Sequence, residues 1–167
     1  MNLKEGLIKK SVLISLYFVF IAAITLAAPK TSTAISLTGN ALRDLSLINS
    51  IREKNNLVSL VWNERLAVAA TEKAEDMAAD GYFAHTAPDG VKAWNFILDA
   101  GYDYRHAGEN LAIDFENINQ AEAAWENSPT HLKNILATQY SDFGFGEAIG
   151  EIGGRDTTVF VQLFGEE

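Results

Sequence analysis

The sequence predicts an α+β fold with a β-sheet held between helical layers. Three observations carry this: apolar residues return at helical spacing between residues 41 and 136, residues 143–164 read as a hairpin, and the last strand of that hairpin is apolar on both faces, as expected where helices cover it from two sides. With 167 residues, 48% of them hydrophobic, the chain suits one globular domain plus something more. A domain of about 150 residues hides roughly 68–70% of its unfolded surface and needs no covalent staple. There is no cysteine, which excludes disulfides and thiolate metal sites and leaves the redox compartment unmarked.

Residues 1–28 are the extra piece. Lys4, Lys9 and Lys10 precede an uninterrupted apolar run over residues 11–28, intermediate in length between a signal-peptide core and a membrane span. Export follows from either reading. Thr25 and Ala27, or Ser32 and Ala34, supply small residues before a cleavage site, although Pro29 crowds the first pair. Left uncut, the segment is an anchor with its lysines in the cytoplasm and everything after it outside. The protein is therefore expected to be secreted, or held at the cell surface by residues 11–28, and to meet a membrane through that segment alone. Residues 29–40, rich in Thr and Ser, read as a flexible linker, and residues 41–167 as the domain. The formal net charge is −9, of which residues 1–28 contribute +2, so the remainder carries −11. Such a domain repels nucleic acid and anionic membrane surfaces.

Within the domain, Leu42, Leu45, Ile48 and Ile51 recur every third residue and predict an amphipathic helix ending near Asn55 and Asn56. Asn49 and Arg52 read as polar surface on a neighbouring face. Asn63 is a cap for a second helix running to about Asp80, with Leu66, Ala69, Ala70, Ala74, Met77 and Ala78 as its buried stripe and Gly81 as its terminator. His85 follows directly, behind Tyr82 and Phe83. Pro88, Asp89 and Gly90 supply a turn, and residues 91–100 return to helical spacing through Trp94, Ile97 and Leu98 until Gly101.

Residues 102–114 are less regular; they contain His106, Gly108, Glu109 and Asn110, and Leu111 to Ile113 fit a short strand. Asn117 with Gln120 resembles a capping box for a helix carrying Ile118, Ala121, Ala124 and Trp125. Ser128 is then an N-cap with Pro129 at the first helical position, which places His131 in the first turn, where the partial positive charge of free N–H groups favours a neutral ring. In residues 143–149 large side chains occupy one face while Gly144, Gly146 and Ala148 leave the other open to close approach, and residues 150–156 read as the hairpin connection.

His85, Glu109 and His131 each stand beside a glycine, turn or cap signal, and taken singly each is more simply a structural residue. Together, and in this order, Asn49-x-x-Arg52, Tyr82-Phe83-Ala84-His85, Gly108-Glu109-Asn110, Trp125-x-x-Ser128-Pro129-x-His131-x-x-Asn134 and Phe143-Gly144-Phe145-Gly146-Glu147 resemble the bacterial CAP (SCP-like) family, related to cysteine-rich secretory proteins, antigen 5 and plant pathogenesis-related proteins. The resemblance runs from about Leu45 to Gly165. It implies a three-layer α-β-α sandwich with a central antiparallel sheet, and a ligand cleft formed by His85, Glu109 and His131, with Ser128 and Asn110 beside them. It also implies that His85 and His131 can hold a divalent metal such as zinc.

One position departs from the family pattern: Ser128 stands where relatives have a second acid after the tryptophan, and Glu126 would point elsewhere on its helix. Two imidazoles, joined at most by one carboxylate or water, make an open, weak zinc site. Glu109 then has the role of orienting a ring. His106, a candidate third ligand, reads better as an exposed loop residue. The resulting expectation is a binding module for a small-molecule, lipid or peptide ligand, with Tyr82, Phe83, Trp94 and Tyr104 available as apolar walls. An extracellular hydrolase using the same histidines and Glu109 is the enzymatic alternative, with Ser128 a poor nucleophile if its oxygen caps a helix and no second acid placed for glycoside hydrolysis. A scaffold whose polar cluster only knits the layers is the third.

Overall fold

The computed structural model describes residues 39–167; the leader at residues 1–28 and all but the last two residues of the linker lie outside the described part. Among the described residues no helix is long and apolar enough to cross a membrane. The chain runs α1 (Gly39–Lys54), β1 (Val61–Trp62), α2 (Glu64–Asp80), α3 (Ala93–Asp99), β2 (His106–Ile113), α4 (Ile118–Glu126), α5 (Pro129–Ile135), β3 (Asp142–Ile152) and β4 (Arg155–Glu166). The four strands form one sheet in the order β1-β3-β4-β2. Its three long strands are antiparallel, and the two-residue β1 adds a parallel edge on β3 that the sequence pattern does not announce.

The doubly apolar last strand explains the layering. Val159, Val161 and Leu163 of β4 pack with Leu66, Ala70, Ala74 and Met77 of α2 and Ile97 of α3. Phe160 and Phe164 face the other way, with Ile48 and Ile51 of α1, Trp125 of α4 and Ile135 of α5. The two cores are separated by one sheet, so the three-layer α-β-α sandwich stands.

The small residues of β3 bring α2 onto the sheet. A Cβ added at Gly144 would lie 2.2 Å from the Leu66 carbonyl carbon, and one at Gly146 2.2 Å from the Thr71 nitrogen, so helix backbone occupies the space a side chain would need. Asn63 caps α2 by accepting from the N–H groups of Arg65 and Leu66, and Gly81 closes it in the left-handed conformation. Asn117 caps α4 by accepting from Gln120 N–H at 3.2 Å, although the Gln120 side chain reaches Glu116 N–H where a full box would need Asn117.

Three sequence expectations change. In α1 the buried positions are Ala41, Asp44, Ile48, Ile51 and Arg52, and Leu42 is 53% exposed. At about 100° per residue, strict three-residue steps drift round the helix and put Leu42 opposite Ile51. Residues 102–114 are not a loop with a short strand: β2 begins at His106 and carries Glu109 and Asn110 on opposite faces. The hairpin connection shrinks to Gly153-Gly154, both at positive φ, because Glu151 and Asp156 pair through their backbones although their side chains are polar.

Candidate functional site

β2 is an edge strand, and its outward carbonyls would be open acceptors. Three of them are met by side chains from the following segment: Tyr140 OH donates to Ala107 O at 3.1 Å, Asn134 Nδ2 to Glu109 O at 3.0 Å and Trp125 Nε1 to Leu111 O at 3.0 Å. These bonds dock α4 and α5, the helix that carries His131, along the strand; His131 itself is not among the residues lining the cleft beside Glu109. From the other side, Gly81 turns the chain out of α2. Tyr82 OH then donates to Asp76 Oδ2 and accepts from Lys73 Nζ at 2.7 Å, which fixes the start of the segment that leads to His85. The predicted turn at 88–90 is present, with Ala87 N–H bonded to Val91 O and Asp89 Oδ1 accepting from Val91 N–H.

His85 Nδ1 lies 2.5 Å from Glu109 Oε1. The carboxylate side chain is 3% exposed and the imidazole 65%, so a buried acid holds a ring that faces solvent. Glu109 Oε2 is buried with no hydrogen-bond partner in the described structure. The bond to Glu109 raises the His85 pKa; partial burial opposes the rise, the Glu109 charge adds to it and the Lys73 charge opposes it.

His131 behaves in the opposite way. Burial lowers its pKa, and the nearby His85 charge lowers it further. Two imidazoles are thus pushed apart, His85 towards the protonated donor and His131 towards the neutral base, a division of roles typical of sites that handle protons or charged ligands.

Ser128 occupies the N-cap position of α5 but makes no side-chain bond to backbone N–H. Its hydroxyl lies 2.9 Å from His131 Nδ1 and 3.1 Å from Thr130 Oγ1. The cap expectation fails here, and with it the reason for dismissing this hydroxyl. Asn110 also departs from expectation as a cleft residue. Fully buried, it donates to Gln162 Oε1 at 3.0 Å and His131 O at 3.3 Å and accepts from Asn134 Nδ2 at 2.8 Å. The alternation of β2 sends it into the layer opposite Glu109.

An open cleft of about 350 Å³ adjoins the pair, lined among others by His85, Thr86, Lys92, Trp94, Glu109 and Asn134. Of the four aromatics proposed as walls, Trp94 lines it and is supported by Tyr104, ring centroids 6.2 Å apart, while Tyr82 is committed to Asp76 and Lys73. Phe83 is exposed and is not among the lining residues. His106 is exposed at the start of β2, paired with Glu166, and takes no part. Glu126 lines a separate groove between α1 and α4. Lys92 escaped the sequence reading, and Asn134 entered it only as part of the family pattern and not as a site residue; it sits three residues after His131, a helical neighbour, which was the signal for it.

The donor set bears on metal binding. His85 and His131 each have Nδ1 engaged, and among the described residues neither Nε2 has a hydrogen-bond partner. Among the described residues no group of three or more His, Cys, Asp or Glu is arranged around a common point. Three or four such ligands around one point are what a closed zinc site needs.

Comparison with known proteins adds a family model for cysteine-rich secretory proteins, CAP, which matches residues 45–164. An uncharacterised Bacillus subtilis (strain 168) protein, YkwD, is 32% identical over 116 residues, covering 70% of this chain and 45% of its own length. An extracellular Bacillus anthracis protein containing an SCP domain superposes with a TM-score of 0.67 at 28% identity, over 77% of this chain and 41% of that one. An outer surface protein of Borrelia burgdorferi gives a TM-score of 0.67 at 26% identity, over 80% of this chain and 96% of its own. The chain thus spans less than half of the first two relatives.

Proposed function

The chain belongs to the CAP family of cysteine-rich secretory proteins, and from that premise we propose that it is an exported binding module whose cleft takes a small ligand carrying an anionic group beside an apolar part. Export is supported by the basic, then apolar, character of residues 1–28 and by relatives described as extracellular and outer surface proteins. The observation that carries the ligand reading is the pairing of His85 with buried Glu109 at the mouth of a cleft that also presents Lys92 and the Trp94 ring. A volume of about 350 Å³ is at the small end of ligand pockets. His85 and Lys92 favour an anion in a domain that is otherwise acidic, and Trp94 offers a face for an alkyl chain or a peptide side chain.

The test titrates the full chain, in mild detergent, with octanoate and separately with a short peptide bearing a free carboxylate, following Trp fluorescence and the His85 ring resonances. Saturable change with either probe, lost on Lys92→Ala, is the expected outcome. No saturation by either probe sinks the proposal.

Zinc at His85 Nε2 and His131 Nε2 is a second proposal, favoured by the two free ring nitrogens. Modest affinity is expected, weakening as the pH falls through the imidazole range near about 6.5 because protons compete for the same lone pairs. Calorimetry at two pH values tests it, and no uptake at near-millimolar zinc rules it out. A hydrolase reading gains one supporting observation, the Ser128 hydroxyl beside a neutral-leaning His131. Turnover in a peptidase and cell-wall screen that disappears in both Ser128→Ala and His131→Ala is what that reading requires.

A further inference from the structure

The helical layer that carries His131 contains an acidic pair that the cleft does not use. Asp44 of α1 is fully buried and Glu122 of α4 is 3% exposed. One amide serves both: Gln162 Nε2 donates to Asp44 Oδ1 and Oδ2 at 3.0 Å each and to Glu122 Oε2 at 2.8 Å. Both carboxyls therefore lie within reach of a single nitrogen. Its orientation is set, because Asn110 Nδ2 donates to Gln162 Oε1, so only the NH₂ group can face the acids. That group has two hydrogens for three acceptor oxygens. The fourth oxygen, Glu122 Oε1, is buried with no donor in the described structure.

Among the described residues no cation is bonded to either acid. From α1, Arg43 is bonded to Asn119, and Arg52 to the carbonyls of Val58, Ile135 and Ala137. From α4, Glu126 adds negative charge beside Glu122, and from β3 Glu147, held by Asn40, does the same for Asp44. β2 and β4 present only the neutral amides Asn110 and Gln162, and α5 presents Asn134 and the His131 carbonyl through Asn110. Lys54 lies with Glu122 and Glu126 along a groove of about 170 Å³ between α1 and α4, which gives the site its route to solvent.

We propose that Asp44 and Glu122 share a single proton as a carboxyl–carboxylate hydrogen bond, and that this proton clamps α1 and α4 to the sheet and, through Gln162, Asn110 and Asn134, steadies α5 beneath His131. When it leaves for solvent, two carboxylates remain buried on one amide, and the layer loosens. Both acids are shifted in the direction this requires: burial raises each, Glu122 to about 7, and mutual repulsion raises Asp44 further. The folded state therefore binds more protons than the unfolded chain between the ordinary carboxylate range and neutrality, and its stability falls as the pH rises through that window. The device is independent of what the cleft binds.

The test is thermal melting of the full chain in detergent, from mildly acidic to mildly alkaline pH, comparing wild type with Glu122→Gln. His85 contributes a fall of the same sign, so the informative quantity is the difference between the two proteins. Wild-type Tm is expected to drop by several degrees across neutrality. Glu122→Gln, which supplies a permanent donor, should lose most of that drop and melt above wild type at alkaline pH. Equal slopes in the two proteins overturn the proposal. Should the variant fail to fold, infrared difference spectra of wild type decide: a protonated-carboxyl C=O stretch present at neutral pH and gone at alkaline pH supports the shared proton, and its absence at neutral pH refutes it. Amide hydrogen exchange in α5 rising over the same pH range supports the link to the cleft; unchanged exchange overturns that part.

Discussion

Arg52→Met removes a buried fork that no single sequence motif explains. Arg52 is 2% exposed, and its guanidinium donates to Val58 O at 2.8 Å, Ile135 O at 2.7 Å and Ala137 O at 2.9 Å. Methionine matches the length of the stem and supplies no donor. A buried acceptor left unpaired costs about 1–3 kcal/mol. The Ile135 bond is fully buried and the other two partly, so the loss lies near the middle of that range for one carbonyl and at its low end for two, about 4 kcal/mol in all. Removing a desolvated charge returns part of this, which leaves a net destabilisation of about 3 kcal/mol, or about 10 °C in Tm for a domain of this size. Arg52→Lys keeps the charge and loses the fork, so it should recover less than half. Urea unfolding at neutral pH measures both variants. Two of the three carbonyls lie at the C-terminal end of the helix that carries His131, so the His131 ring resonances should move even where the protein stays folded. A Met variant within about 1 kcal/mol of wild type, or a Lys variant that restores everything, would refute the reasoning.

Gly146→Ala should cost about 3 kcal/mol or more in a melting experiment, because the new methyl meets the Thr71 nitrogen at 2.2 Å and the Ala70 carbonyl carbon at 2.3 Å, atoms that cannot move without shifting α2. Ser128→Ala should cost less than about 0.5 kcal/mol, where a working N-cap would lose about 1 kcal/mol; the His131 ring should titrate differently as its hydroxyl partner disappears, which NMR detects. Glu109→Gln should lower the His85 pKa, since the bond to Glu109 is the main cause of its rise. The stability His85 contributes is present below the free-imidazole value of about 6.5 and lost as the pH rises through its higher folded value, so the variant should flatten that fall. His131 contributes with the opposite sign: its stability is present above about 6.5 and lost as the pH drops through its lower folded value, and NMR titration of the two rings should show them separated in that order.

What was legible in the sequence was whatever a segment announces about itself. The cap at Asn63 and stop at Gly81, the Pro129 start, the two-faced β4 and the small face of β3 all follow from local chemistry, and all are present. Asn49 and Arg52 were legible only as polar residues, because what they do is decided elsewhere: Asn49 pairs with both backbone groups of Leu60, and Arg52 bonds to a carbonyl 83 positions away. Asp44, whose amide partner is 118 positions away, carries no signal of its own in the sequence. β1 has two residues and is held by pairing with β3, so no pattern of its own could mark it. The Ser128 hydroxyl was misread for a related reason: a cap position fixes the backbone, while the imidazole one turn on competes for the oxygen.

The same distinction sorts the residues that carry the family resemblance. Trp125 and Asn134 are nine residues apart on the chain, across the break between α4 and α5, yet their donors meet Leu111 O and Glu109 O on one edge of one strand. Their spacing is set by the need to cover that edge. Asn110 is committed to joining the strand to α5 and to β4. Among the described residues, the polar atoms left without a hydrogen bond include the Nε2 of His85 and of His131, the Oδ1 of Asn134 and the Oε2 of Glu109. A ligand has to be recognised by groups that folding has not already satisfied. That is why substitutions at His85 and Lys92, rather than at Trp125 or Asn110, should change the proposed binding at the smaller cost in stability.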